Sequence, residues 1–546
     1  MLSSIGSVTA LALLVVGCGG GGGGGGGAPA TYTVGGTVTG LSGPGLVLQI
    51  GGGNDLPISA SGAFTFARGM PSGTSYAVTV KSSPTSPLQV CYVADGVGTI
   101  AAADVKNVDV SCEPGYTIGG TVSGLTGSGL VLQMLAPSGK RLQPPIPLGP
   151  PLRIISNGPF TFDIVLSQSN FGFFAGVTVS QQPASPAQLC VIHNADTQIG
   201  AANVTDIEVG CSQHSYVANA GDNTVSAYAV NATSGALASV GAPVGTGRSP
   251  HAIVGTQDRQ YIFVGNEGSN DISVFAVNLA SGALTAVPGS PFAVGTDPKA
   301  LALYRGLRGT YLYVANAGSD TVSAFAVDTS SGSLAPLSPA NFATGKGPSS
   351  IAIDPNRGII YVANNGGPND VSAFSVETYT GILTPVVGSP FPVGANPVSL
   401  AFGATGKFLY TANPDATNPS ISGFSVDLGS GVLTPLSGSP FPRSVSHDIA
   451  TDRTGAHLYA TSGANVVGYG IDATTGALTA LAGFPVSAGA NAYSVSIDPI
   501  NQFLYVTNDG AANISGFRLD ASIGALTPMA GSPFPAGNHP KFIATF

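Results

Sequence analysis

The chain is short of charge: Asp, Glu, Lys and Arg make up 8% of its 546 residues, against roughly a quarter in ordinary soluble domains. The formal net charge is −9 and no basic stripe offsets it, which excludes a general attraction to nucleic acid. Tryptophan is absent, so the WD propeller signature is excluded, and no kelch pattern occurs. No "DxDxDG" calcium loop is present, and the Asp and Asn residues of the turns read as turn formers. Apolar residues show no helical period beyond the N-terminal leader, which excludes a helical bundle. No cofactor and no metal site are expected.

What the chain does contain is 43% hydrophobic residues with 78 glycines and 41 prolines. β-Branched and aromatic residues recur in short runs between Gly, Asn, Ser and Pro clusters, the pattern of an all-β protein of many short strands. The length suggests several domains.

The leader reads "ALALLVVGCGGGGGGGGGAPA". Its apolar run, residues 8–17, is too short to span a bilayer and ends in Val15-Val16-Gly17-Cys18. This resembles the lipobox of bacterial lipoprotein signal peptides, in which the cysteine becomes residue one and is lipidated. The resemblance implies a signal peptide over 1–17, export, and a membrane as partner through the lipid on Cys18, on an outer membrane or cell surface. Gly19–Gly27 follow, a flexible tether (18–30) with a span on the order of 15–18 Å.

Two sister segments come next. "YTVGGTVTGLSGPGLVLQI" (32–50) returns as "YTIGGTVSGLTGSGLVLQM" (116–134), and "PLQVCYV" (87–93) as "PAQLCVI" (186–192). Cys91 and Cys112 lie 21 residues apart, as do Cys190 and Cys211. Matched spacing in an exported chain reads as one disulfide per segment. Two cysteines per copy with no repeated histidine leave a metal site half filled. The segments 31–113 and 114–213 therefore read as two small β-sandwiches, immunoglobulin-like or transthyretin-like.

From 214 to 546 a stronger repeat takes over. Its aromatics are Tyr216, Phe263, Tyr313, Tyr361, Tyr410, Tyr459 and Tyr505, separated by 47, 50, 48, 49, 49 and 46 residues. Six units also carry a "(S/T)G-x-L" turn, at Gly235, Gly282, Gly332, Gly381, Gly431 and Gly476, and the seventh has "IGAL" at Gly524. A period near 48 filled by about four short strands is a propeller blade. The array begins on a second strand, "YVAN", and ends on a first strand, "PKFIATF". The C-terminal strand is thus expected to complete the blade of residues 215–244, closing a seven-bladed ring without free edges.

The unit "YVAN…VSAFAVD…TGxLTP…GSPFPVG…PxSIAIDP" resembles the lactonase-type seven-bladed propellers, which include 6-phosphogluconolactonase and muconate-lactonising enzymes, and the YVTN-repeat propellers of microbial surfaces. The resemblance covers about 215–546 and implies the fold more strongly than an activity.

In propellers the first strand of each blade lines the central channel. The residues at the starts of those strands are His251, Lys299, Ser349, Val398, His447, Tyr493 and Lys541. Arg248, Arg443 and His539 lie on the loops leading in. This reads as a basic arc suited to a small anion, carboxylate or phosphate. Asp222, Glu267, Asp271, Asp320, Asp370 and Asp509 would form an acidic rim outside it. His193, His214 and His457 have no partner in the pattern and are assigned to the surface. Two functions follow. The first is a lipid-anchored binding or surface-display module for a small anionic ligand or a protein partner, with Arg248, Lys299, Asp448, Tyr493 and Lys541 as ligand contacts. The alternative is a lactonase with His251 or His447, the latter beside Asp448, as base and Arg248, Lys299 or Lys541 as electrophile. "SPHAI" matches one strand-start context of lactonase-type enzymes, whereas no "PRH" occurs.

Overall fold

The computed structural model describes residues 30–135, 147–167, 174–198, 202–354 and 357–546. Cys18, the leader and residues 19–29 of the tether lie outside them. Every regular element among the described residues is a strand. Packing divides the described residues into two compact units, one of those up to Tyr116 with 165–167 and one of the rest from Thr117 onward.

The first unit holds one sandwich. In one sheet Val34–Thr39 runs parallel to Val105–Pro114, flanked by Gly62–Thr65 and Gln89–Ala94; in the other Leu46–Ile50 lies between Gly53–Ile58 and Ser75–Ser82. Alternating side chains close the core, with Val34, Val38, Leu46, Leu48, Phe64 and Val110 among its buried members. Cys91 and Cys112 face each other on adjacent antiparallel strands, Cα atoms 4.0 Å apart, and are disulfide-bonded. The second sandwich repeats this strand order and its disulfide, Cys190–Cys211.

That second sandwich belongs to the same unit as the propeller. His193 Nε2 donates to the Asp258 carbonyl at 2.6 Å, and Arg259 Nη1 to the Ser212 carbonyl at 2.8 Å.

The propeller has seven antiparallel sheets, here called blades 1 to 7 in the chain order of their second strands. The ring closes as the repeat phase requires. Pro540–Thr545 pairs with Gln213–Asn219 in blade 1, in the register Ser215 to Thr545 and Val217 to Ile543, with the two hydroxyls of Ser215 and Thr545 at 2.9 Å. Second strands such as Tyr261–Asn266 and Ile359–Asn364 are buried at every residue, because both faces of each blade pack on neighbours.

The repeated tyrosine and the repeated glycine meet across blades. Tyr216 donates its hydroxyl to the Gly282 carbonyl, Tyr313 to Gly381, Tyr361 to Gly431, Tyr410 to Gly476 and Tyr459 to Gly524, over 2.7–3.1 Å. Tyr505 reaches Gly235 of blade 1 at 2.6 Å and completes the circle. Phe263 holds the seventh position without a hydroxyl. The seven glycines have φ between +71° and +77°, a left-handed turn that glycine alone adopts readily. A Cβ on any of them would come within 2.2–2.7 Å of a side chain two residues before the tyrosine, or phenylalanine, of the preceding blade.

Burial corrects the assignment of three histidines to the surface. His193, His214 and His457 are 7%, 4% and 6% exposed. His214 and His457 occupy the site that Tyr261, Tyr311, Ile359, Phe408 and Phe503 fill in the other blades, each ring lying against the next blade's glycine. His457 Nδ1 also meets Asp452 at 2.9 Å. Burial, with Arg259 nearby, pushes His214 down to about 4.

Two outcomes are expected. Tyr505→Phe leaves the Gly235 carbonyl without its donor at the closing contact and should cost about 1–3 kcal/mol, read from urea unfolding of the propeller. His214 titrates near 6.5 when unfolded and near 4 when folded, so the unfolded chain binds the extra proton between those values. Its contribution is therefore complete above pH 6.5 and is lost as pH falls toward 4, on the order of 3 kcal/mol. His214→Phe, which copies the residue that Phe408 and Phe503 supply in other blades, should remove that part of the acid sensitivity; an unchanged slope of stability against pH would contradict the assignment.

Candidate functional site

The channel positions are set by a local device. In six blades a residue with positive φ precedes the strand (Ser249, Asp297, Gly347, Asn396, Asn491 and His539). Proline follows it in five of them and Ala492 in the sixth. The left-handed turn and the fixed φ of proline aim the next residue at the axis. That next residue is His251, Lys299, Ser349, Val398, Tyr493 or Lys541. Blade 6 departs, with "SVSHDIA" and no proline. Its strand starts only at Ile449, and Thr461 Oγ1 accepts the N–H groups of His447 and Asp448 at 3.2 and 3.0 Å.

A cavity of about 370 Å³ opens there, lined from the first strand of every blade. His251, Lys299, Ser349, Val398, His447 and Tyr493 all line it, together with Asp448. Lys541 lies against Tyr493, Nζ 4.2 Å from the ring centroid. Residues spread from 251 to 541 therefore converge, as the phase of the repeat requires.

The His251 proton is fixed by its neighbours. Nδ1 lies 3.0 Å from the Lys299 carbonyl and Nε2 2.9 Å from the Tyr493 hydroxyl. A carbonyl only accepts, so Nδ1 carries the hydrogen and Nε2 takes the phenol's hydrogen bond. Burial, then the Lys299 charge, pushes His251 down to about 4; it is a neutral base at pH 7. Burial raises Tyr493 well above the usual phenol range. His447 stacks on the Tyr493 ring at 4.5 Å, is pushed below its ordinary value by burial and by Lys541, and its Nδ1 has no hydrogen-bond partner among the described residues.

Asp448 does not orient His447. Its carboxylate accepts Ser399 Oγ at 2.7 Å, Ile449 N–H at 2.9 Å, Ser494 Oγ at 2.9 Å and Val495 N–H at 3.0 Å. Burial outweighs these bonds and raises its pKa. Ser399 and Ser494, which hold it, were not singled out in the sequence; each directly follows a channel residue, Val398 or Tyr493, and that register was the signal that could have found them.

The basic arc is internally neutralised. Lys299 Nζ meets Glu267 at 2.8 Å and Asp297 at 3.0 Å, and Lys541 Nζ meets Asp509 at 3.2 Å. Burial lowers the Lys299 pKa, but its two carboxylate partners outweigh that and raise it. Burial likewise raises Glu267 and Asp509, and the lysines outweigh it, holding both carboxylates ionised. Two of the expected rim residues thus turn inward as counter-ions. Asp222 instead accepts the Asn538 backbone N–H at 2.7 Å, and Asp271 and Asp370 accept the amides of Asn266 and Asn364.

Three of the loop residues stay outside. Arg248 is exposed and does not line the cavity; its backbone N–H binds Ser269 Oγ at 2.9 Å. Arg443 donates to the carbonyls of Pro442 and Leu478 and lies over Tyr469. His539 is exposed beside Asp509 at 3.2 Å. Among the described residues no cluster of His, Cys, Asp and Glu has the geometry to hold a metal ion.

The site is thus a polar cavity at one end of a seven-bladed channel, holding neutral imidazoles and paired lysines. A family model described as "Lactonase, 7-bladed beta-propeller" matches residues 185–298 and 298–446. The propeller of this chain is thus of the lactonase type. Similar solved structures include two proteins assigned as 6-phosphogluconolactonases. That of Bacteroides uniformis is 16% identical with TM-score 0.52, covering 61% of this chain and 99% of its own. That of Bacteroides fragilis is 20% identical with TM-score 0.52, covering 61% and 98%. The periplasmic gluconolactonase of Pseudomonas aeruginosa is 18% identical with TM-score 0.51, covering 61% and 99%. At such identities the likeness is one of fold. No curated protein matches the chain in sequence.

Proposed function

We propose that the channel cavity hydrolyses a lactone, in a protein exported and held at a bacterial membrane through Cys18. The observation that carries the hydrolase reading is the His251–Tyr493 contact, a neutral imidazole lining the cavity whose basic nitrogen meets only a phenol. The match to the lactonase-type family model supports it.

In this reading the Tyr493 hydroxyl turns from Nε2 to the lactone carbonyl oxygen, and a water takes its place. The water oxygen bonds the carbonyl carbon while its proton passes to Nε2. Tyr493 donates a hydrogen bond to the developing oxyanion, with the Lys541 ammonium against its ring. The ring C–O bond then breaks, its alkoxide takes the proton from His251, and a hydroxy acid leaves. His447 supports the Tyr493 ring, and Asp448 holds Ser399 and Ser494 in place beneath it.

The pH profile is distinctive. His251 must be unprotonated, and its pKa is about 4. kcat/KM for a sugar lactone should therefore be level from about pH 5.5 to 7.5 and fall as pH drops through about 4, where an unperturbed histidine would put the fall near 6.5. His251→Ala should lower kcat by about 10²–10⁴. Turnover that survives His251→Ala rejects the mechanism, and binding of small carboxylates without turnover returns the disc to a binding module.

Anchoring is tested separately. Cys18→Ser should move the protein to the soluble fraction and abolish uptake of labelled fatty acid; a variant still membrane-bound would contradict the anchor.

A further inference from the structure

The cations around the cavity have their counter-ions already. Lys299 is held by two carboxylates and Lys541 by one, with the Tyr493 ring against its ammonium. Glu267, Asp297 and Asp509 thus set three negative charges against two positive ones. Arg248 and Lys346 are exposed on the approach loops and line nothing of the cavity. A dianionic group entering here would have to break ion pairs or lie beside their carboxylates.

Neutral hydrogen-bonding groups, by contrast, are to spare. The Asn365 amide and the Ser350 hydroxyl proton are uncommitted among the described residues, although both side chains line the cavity. His447 Nδ1 is also unpartnered beside it. Lys299, which lines the cavity, keeps an N–H that a neutral oxygen accepts without demanding its charge. The volume, about 370 Å³, lies at the lower end of small-molecule sites, the scale of one monosaccharide ring.

We infer that the cavity selects an uncharged, polyhydroxylated lactone and rejects the phosphate ester of the same sugar. This rests on the hydrolase reading for its chemistry, while the selectivity itself is a property of the charge pairing. Glu267 and Asp509 are then specificity-determining residues, acting through Lys299 and Lys541.

The test compares glucono-δ-lactone with its 6-phosphate ester on wild type and on Glu267→Gln/Asp509→Asn, with the full chain. Wild type should favour the uncharged lactone by at least 100-fold in kcat/KM, and the double variant should improve the ester at least tenfold. A wild type that turns over the ester as well as the uncharged lactone overturns the inference, and so does a double variant that leaves the ratio unchanged. If neither lactone is hydrolysed, the hydrolase reading fails, and calorimetric binding of gluconolactam and its 6-phosphate decides the selectivity alone. Binding of the lactam with the phosphate at least tenfold weaker supports it; tighter binding of the phosphate, or no binding of either, overturns it.

Discussion

The propeller depends on one repeated contact, the tyrosine hydroxyl of one blade on the glycine carbonyl of the next. It fixes three things at once. The buried phenol needs an acceptor, which the turn supplies. The turn needs a left-handed residue, which only glycine fills at low cost. The same glycine lacks the Cβ that would strike the preceding blade, so two sheets approach closely. Blade spacing follows from that approach, and with seven spacings the ring closes on Gly235. Position at the channel is inherited from this geometry, since each first strand is placed by its blade and not by its own side chains.

A chain with so little charge uses it in pairs. Lys299, Lys541, Lys81 and Arg357 each have a carboxylate partner, and buried Arg259 is met by a carbonyl. Pairing matters most at the channel, where walls on every side limit hydration and an unpartnered ammonium would be costly. The outcome is a cavity rich in hydrogen-bonding groups and poor in net positive charge. That combination suits a neutral polar substrate and leaves a neutral histidine as the base.

Much of this was legible in the sequence. Seven aromatics at a spacing near 48 gave the blade number, and the starting phase gave the closing strand, because both are properties of order along the chain. Equal cysteine spacing gave both disulfides. Pairing across blades was not legible, since Tyr361 and Gly431 are 70 residues apart and nothing local links them. The same blindness put His214 and His457 on the surface, although aligning them with Phe408 and Phe503 would have placed them in the interior. Arg248 illustrates the other limit. Its neighbour His251 follows a left-handed turn and a proline that aim it inward, whereas a residue one step earlier in that turn points to solvent. The lysines were read as an arc for an anion, without their counter-ions, because two of these, Glu267 and Asp509, come from neighbouring blades.

A repeat fold offers one more inference from where its consensus fails. Tyrosine or phenylalanine recurs in the second strand of every blade, asparagine ends it in six, and glycine marks every outer turn. At the first-strand start the seven residues are His, Lys, Ser, Val, His, Tyr and Lys, with no consensus at all. Positions that hold the ring together must obey its symmetry, because each faces an equivalent neighbour. A ligand in the channel has no sevenfold symmetry, so residues that touch it need not match one another. Blade 6 carries this furthest: it replaces the asparagine by Ser462, drops the proline before the strand, and delivers His447 and Asp448 to the cavity. Broken symmetry at the axis, inside a frame that keeps it elsewhere, is what a site built for a small asymmetric molecule requires.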